Sequence, residues 1–329
     1  MGQMIPTEGP APFLIFLGVS TGQSAVHRVF DGWVSCLGTP LTLKGCDLPL
    51  DAPADAYRRL VLDFRRPVAR LAGALVTSHK TALFQAAADL FDDVTAQAVR
   101  LEEIGMIYWR DGRLVADAGD ADSNLQAARR LFAASDAWRT GSREAVVLGG
   151  GGAGVALAYT LATAADLGCA RITITEVSEA RAEIVRRIVQ RWAFPVPIVV
   201  MFLSGPADAI VADSGRASLI ANATGLGKDR TGSPVSSGVR FPRGAFVWDF
   251  NYRFGRQEMP TFLETASAQA AEQELTIEDG WNYFIWGWLV VMSRVAGVDP
   301  YERHECFSRV ASRPQGNARG ITNRSETES

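Results

Sequence analysis

Residues 146–155, Val-Val-Leu-Gly-Gly-Gly-Gly-Ala-Gly-Val, place G-x-G-x-x-G at Gly149, Gly151 and Gly154. An apolar strand pattern precedes them and an amphipathic helix pattern, 155–167, follows. In that setting the first glycine makes a tight turn and the second lets a pyrophosphate approach the backbone. The third lets the helix pack close to the sheet. The helix N-terminus adds unpaired N–H groups and a partial positive charge. The loop therefore predicts a dinucleotide site with Gly149, Gly151, Gly152, Ala153 and Gly154 at the phosphates. The next strand pattern ends Ile-Thr-Ile-Thr-Glu176. A carboxylate there accepts hydrogen bonds from the ribose hydroxyls and repels a 2′-phosphate, which favours NAD over NADP. Arg181, about one and a half turns on, is the group that would serve NADP instead.

Around the loop the chain alternates short apolar runs with helical periods, the rhythm of an α/β protein with a mostly parallel sheet. Strands are predicted at 13–18, 41–43 and 72–77, and helices at 55–66 and 80–90. The polar stretch Ser135 to Glu144 separates this series from a second, with strands at 145–148, 171–175, 197–202, 218–222 and 245–249. Helical patterns return after Pro260 through Glu274 and from Glu278 to Ala296, the latter holding Trp281, Trp286 and Trp288 as core aromatics. The tail 313–329 is polar and aperiodic and is expected to be disordered.

At 329 residues the chain is long enough for two cores. Its 33 Lys+Arg against 36 Asp+Glu lack the basic excess of a nucleic-acid binder. No apolar run is long enough to span a membrane, and no basic leader precedes Phe13, so a cytoplasmic protein is expected. Cys36, Cys46, Cys169 and Cys306 are scattered without a C-x-x-C pair, which suggests reduced thiols. With three histidines no metal site is expected.

Several motifs in order resemble the shikimate dehydrogenase family. Gly73-Ala-Leu-Val-Thr-Ser-His-Lys80 is similar to its N-V-T-x-P-x-K strand end, one residue shorter. Asp111-Gly-Arg-Leu-Val-Ala-Asp-Ala-Gly-Asp120 is similar to its D-G-x-L-x-G…N-T-D segment. Gly149 to Gly154 match its G-x-G-G-A-G loop and Asn222-Ala-Thr224 its N-A-T segment. Val247-Trp-Asp249 with Tyr252 resembles its V-Y-D-x-x-Y strand. The resemblance covers about residues 12–300. It implies an N-terminal α/β catalytic domain (1–134 and 277–312), a Rossmann-type domain (135–276) and C-terminal helices that return to the first domain. It also implies that Lys80 and Asp120 form the acid/base pair, and that Asn222, Thr224 and Gly225 adjoin the nicotinamide. By analogy alone it allows a homodimer.

The chain also departs from that pattern. The family's S-x-S pair has no counterpart in register, with Thr21 and Gln23 falling closest. The family's asparagines become Leu75, Ala118 and a position near Ile107, and a glutamine on the returning helix becomes Gly287. Thr77 is retained. His79 fills a variable position, as a second proton carrier, a substrate contact or a packing residue. Tyr283 stands in for a methionine. A site that loses several hydroxyl-pairing groups discriminates against its former substrate. The expectation is an NAD(P)-dependent oxidoreductase acting on a secondary alcohol and ketone of a small cyclic, carboxylated molecule other than shikimate. Two alternatives stand beside it. One is a dinucleotide-binding sensor, or a lyase or isomerase without redox chemistry. The other is a true shikimate or quinate dehydrogenase.

Overall fold

Phe13–Gly18 form β1, and all six residues are buried. The run needs no polar alternation because β1 lies between β2 (Thr42–Asp47) and β3 (Leu71–Val76), parallel to both. The computed structural model describes residues 11–66, 70–227, 231–251 and 261–312. In this first part of the chain α1 (Phe30–Leu37), α2 (Ala54–Phe64) and α3 (Lys80–Ala87) alternate with the strands. Then come β4 (Asp93–Val94), α4 (Ala96–Leu101), β5 (Met106–Arg110) and β6 (Arg113–Asp117). The sheet order is β2-β1-β3-β5-β6-β4, with β5 antiparallel to β3 and β6. Asp111 and Gly112, at φ 52° and 74°, join β5 to β6 in the left-handed two-residue turn that suits strand twist. Phe13, Ile15 and Leu17 of β1 share a core with Tyr57, Leu60 and Phe64 of α2.

The second part contains α5 (Asp120–Ala133), α6 (Ala137–Thr140), β7 (Glu144–Leu148), α7 (Gly152–Thr163), β8 (Arg171–Glu176) and α8 (Glu179–Gln190). It continues with β9 (Ile198–Phe202), α9 (Asp208–Ala212), β10 (Leu219–Asn222), β11 (Phe246–Asp249), α10 (Thr261–Gln269) and β12 (Thr276–Glu278). Its sheet, β12-β11-β10-β7-β8-β9, is parallel throughout. The order runs outward in both directions from β7 and β10. That makes their C-terminal ends the switch point where such sheets bind ligands.

The chain divides into two units, one running to Asp120 and resuming at Ile285–Ser312, the other Ala121–Phe284. The polar stretch after residue 134 therefore does not mark the division. α5 joins the second unit because Ala121 O accepts the Thr160 hydroxyl at 3.1 Å. Phe132 also stacks on Trp138 at 3.9 Å between ring centroids. Glu278, expected to open a helix, instead ends β12, and α11 runs Trp281–Ala296. Trp286 and Trp288 are core residues, as their pattern suggests.

The last helix among the described residues, α12 (Pro300–Val310), packs on α1 within the first unit. Phe307 stacks on Trp33 at 5.0 Å, and the Trp33 indole N–H donates to Phe307 O at 3.0 Å. This contact corrects the expectation of four reduced thiols: Cys36 and Cys306 form a disulfide with Cα atoms 5.9 Å apart. Their 270-residue separation hides the pair from any reading of local spacing. Cys46 and Cys169 are free, and burial pushes both thiols up to about 11. Among the described residues no helix is long and apolar enough to cross a membrane.

Candidate active site

Lys80 is the first residue of α3, shortly beyond the end of β3. The turn between them is tied down by Thr77, whose N–H and hydroxyl both donate to Leu17 O, at 2.9 and 3.1 Å. His79 sits at the helix entry and is 1% exposed. Its Nε2 faces two carbonyl oxygens, Leu48 O at 3.0 Å and Gly18 O at 3.2 Å, so that nitrogen carries the hydrogen. Nδ1 pairs with the Tyr57 hydroxyl at 2.8 Å. Both ring nitrogens are spent inside the protein. These contacts fit the packing alternative: His79 anchors the turn that presents Lys80.

The Lys80 ammonium is hydrogen-bonded to the Asp120 carboxylate, and the two side chains are only 16% and 14% exposed. Asp120 opens α5 directly after Gly119, whose φ of +77° turns the chain out of the β6 end. A Cβ on Gly105 would lie 1.9 Å from Ala118 O and 3.6 Å from Lys80 Cε, so the lysine passes over a backbone stripped to its minimum. Burial works against the ammonium, but Asp120 and Glu103 outweigh it and raise the lysine pKa above its ordinary value. The group therefore stays protonated near neutrality. Glu103 escaped the sequence reading because Glu102-Glu103 looks like a solvated pair. Glu102 closes α4 at φ 51°, and the left-handed turn sends Glu103 inward, where it is 1% exposed.

Thr21 and Gln23 diverge. Thr21 is buried, its N–H donating to Asp47 Oδ1 at 2.9 Å and its carbonyl facing His27 Nε2 at 3.0 Å; Gln23 is exposed. Leu75, Ile107 and Ala118 are all buried and apolar.

In the second unit Gly149 adopts φ +104° at the end of β7, a conformation that favours glycine. A Cβ on Gly154 would stand 2.0 Å from Gly149 O, so a side chain there would force the loop and helix apart. Above Gly151, the residue that caps α7, a Cβ would meet nothing within 4 Å. Open space at a helix N-terminus suits a pyrophosphate, and in this respect the residues fit a dinucleotide. Glu176 ends β8 and accepts from the N–H groups of Gly150 (3.1 Å), Val177 (2.8 Å) and Ser178 (3.3 Å). Arg181 Nε donates to Gly150 O at 3.0 Å. Both side chains thus grip one residue of the glycine loop.

At the neighbouring β10 end, Thr224 and Gly225 (φ +75°) continue from Asn222. Tyr283 lies against Phe250, with ring centroids 4.7 Å apart. Tyr252 lies outside the described residues, as does the tail 313–329. The sequence reading also missed the roles of Asp249 and Asn251, both buried beside Asn222. The signal for Asp249 was the Val247-Trp-Asp249 motif; Asn251, just past the strand, gave none.

No protein-family model matches the chain. Among curated proteins it is 30% identical over 213 residues to a shikimate dehydrogenase (NADP(+)) of Rhodospirillum rubrum, covering 64% of this chain and 68% of that one. A shikimate dehydrogenase (NADP(+)) of Symbiobacterium thermophilum is 29% identical over 250 residues, 75% of this chain and 78% of its own. Solved structures of the same fold include shikimate 5-dehydrogenase of Thermus thermophilus in complex with NADP(H) and shikimate. It has TM-score 0.65 and 22% identity, covering 91% of this chain and 99% of that one. Another is 5-ketofructose reductase of a Gluconobacter strain, with TM-score 0.64 and 19% identity, covering 92% and 99%. With its lysine and aspartate paired, its glycine loop at the sheet switch point and relatives of this identity and coverage, the chain belongs to the shikimate dehydrogenase family.

Proposed function

We propose that this family member is an NAD-dependent oxidoreductase that interconverts a secondary alcohol and a ketone on a small cyclic, carboxylated substrate other than shikimate. The observation that carries the reading is a contrast. The Lys80–Asp120 pair is kept, while Leu75, Ile107 and Ala118, on or next to the strands around it, are apolar and at most 8% exposed. Polar groups that would pair ring hydroxyls are absent from those positions, and the selectivity such groups supply goes with them. The 5-ketofructose reductase shares the fold, which supports use of this scaffold on other substrates.

In the direction of reduction, the Lys80 ammonium gives its proton to the carbonyl oxygen as that oxygen becomes a hydroxyl; in oxidation it takes the proton back. Positioned proton transfer of this kind is worth about 10² to 10⁴ in rate. Asp120 and Glu103 keep the lysine charged and aimed. The glycine loop, Glu176 and the Asn222–Gly225 segment would hold a pyridine nucleotide, which when bound exchanges a hydride with the carbinol carbon. Glu176 is the residue that favours NAD, through the ribose hydroxyls.

A second reading, true shikimate dehydrogenase, is favoured by the two curated relatives, both named for that activity with NADP(+). Nicotinamide absorbance measured with a panel of cyclic hydroxy acids, shikimate and quinate included, separates the two. Highest kcat/KM on another acid supports the proposal; highest kcat/KM on shikimate with NADP overturns it in favour of the second reading.

A further inference from the structure

Asn222, at the end of β10, uses the two ends of its carboxamide differently. Oδ1 accepts from the Thr224 N–H at 3.1 Å and the Thr224 hydroxyl at 2.7 Å, and that hydroxyl in turn accepts from Leu226 N–H at 3.1 Å. Nδ2 donates to Asp249 Oδ1 at 3.2 Å. Asn251 closes the ring: its Nδ2 donates to Leu226 O at 3.0 Å, and its N–H and Nδ2 both donate to Asp249 Oδ1 at 2.9 Å. One carboxylate oxygen is thus the hub of the loop at residues 223–227.

The other oxygen, Asp249 Oδ2, is buried with no hydrogen-bond partner among the described residues, and the residue is 0% exposed. Trp248 and Phe250 flank it in the chain, and Asn222 and Asn251 are neutral donors. Among the described residues the charged group acting on it is the Asp279 carboxylate, which accepts from Trp281 N–H at 2.9 Å at the start of α11. Burial, opposed by the asparagine donors and assisted by Asp279, pushes Asp249 up to about 7. Burial of the unpartnered Oδ2 disfavours the charge, while the three donors on Oδ1 favour it, and the balance leaves the carboxyl able to change charge near neutrality.

We propose that Asp249 is a positioning residue for the nicotinamide end of the cofactor: through Asn222 and Asn251 it shapes the loop that receives the ring, and its charge biases binding toward the oxidised form. This rests on the reading that Thr224 and Gly225 adjoin the nicotinamide. The oxidised ring carries a positive charge that the reduced ring lacks, so a carboxylate beneath the loop favours the former and a neutral acid does not discriminate.

Calorimetric titration with NAD⁺, NADH and ADP-ribose between about pH 6 and pH 8.5 tests it, the range chosen to bracket the carboxyl's titration. In the wild-type chain the affinity ratio of NAD⁺ to NADH rises with pH, on the order of fivefold, with a midpoint near neutrality. In Asp249→Asn the ratio is flat. In Asp279→Asn, which keeps the helix-capping oxygen and removes the charge, the midpoint moves to lower pH. ADP-ribose, which has no nicotinamide, binds independently of pH and of either substitution. A wild-type ratio that does not change with pH, while all three ligands bind, overturns the proposal and leaves dinucleotide binding intact. Failure of all three to bind the wild-type chain overturns both.

Discussion

The Lys80 ammonium is bonded to the Asp120 carboxylate across 40 residues of sequence, with Glu103 as a second buried carboxylate acting on the same lysine. Two negative groups around one cation do more than balance it. They hold the proton on the lysine through the neutral range. The arrangement also explains why the lysine tolerates burial that would otherwise discharge it.

Replacing Lys80 with methionine removes the proton donor while keeping much of the length of the side chain. kcat falls by at least about 10²-fold and the dissociation constant for NAD changes by less than about threefold. Steady-state kinetics beside direct cofactor titration checks the split. Equal losses in both would show that Lys80 is structural.

Glu103→Gln retains shape and hydrogen-bonding capacity but removes one charge that raises the Lys80 pKa. The basic limb of the pH–rate profile moves to lower pH, with no change in the affinity for NAD. An unmoved limb would mean that Asp120 alone sets the charge of the lysine.

Glu176→Ser removes the proposed ribose acceptor and one restraint on Gly150, whose N–H donates to Glu176 Oε2 at 3.1 Å. The proposed preference for NAD over NADP narrows, by about tenfold. Competitive binding of the two nucleotides reads the ratio, and an unchanged ratio removes Glu176 from cofactor selection.

Asp249 imposes a pH dependence on stability whose sign is fixed. Its pKa is about 7 in the folded chain and near 4 when unfolded. Between these values the folded state binds the extra proton, so stability falls as pH rises, by up to about 1.4 kcal/mol per pH unit, and the loss is complete above about pH 7. Urea denaturation at several pH values reads that slope; in Asp249→Asn it is absent.

Cys36 and Cys306 are joined across a sequence separation of 270 residues. Thiol titration of the unfolded, unreduced chain finds Cys46 and Cys169 alone. Reduction, or Cys306→Ser, lowers stability by about 3 kcal/mol. Equal denaturation midpoints with and without reductant would show that the bond contributes nothing.

Much of this protein was legible in the chain. Strand β1 was readable to the residue because a strand with neighbours on both sides and buried on both faces is a continuous apolar run. The glycine loop was equally plain: a tight turn and a close helix approach each demand glycine locally, and Gly149 and Gly154 meet those demands in turn. Lys80 and Asp120 stood out through the motifs around them. What the tertiary structure alone decided is how distant residues satisfy one another. His79 is spent on Tyr57, Gly18 and Leu48, Glu103 turns inward behind a left-handed residue, Cys306 meets Cys36, and Asp249 gathers Asn222 and Asn251. Backbone geometry is set by the nearest few residues and leaves a trace in sequence order. The pairing of buried polar groups is set by packing between elements tens to hundreds of residues apart, which leaves no local trace.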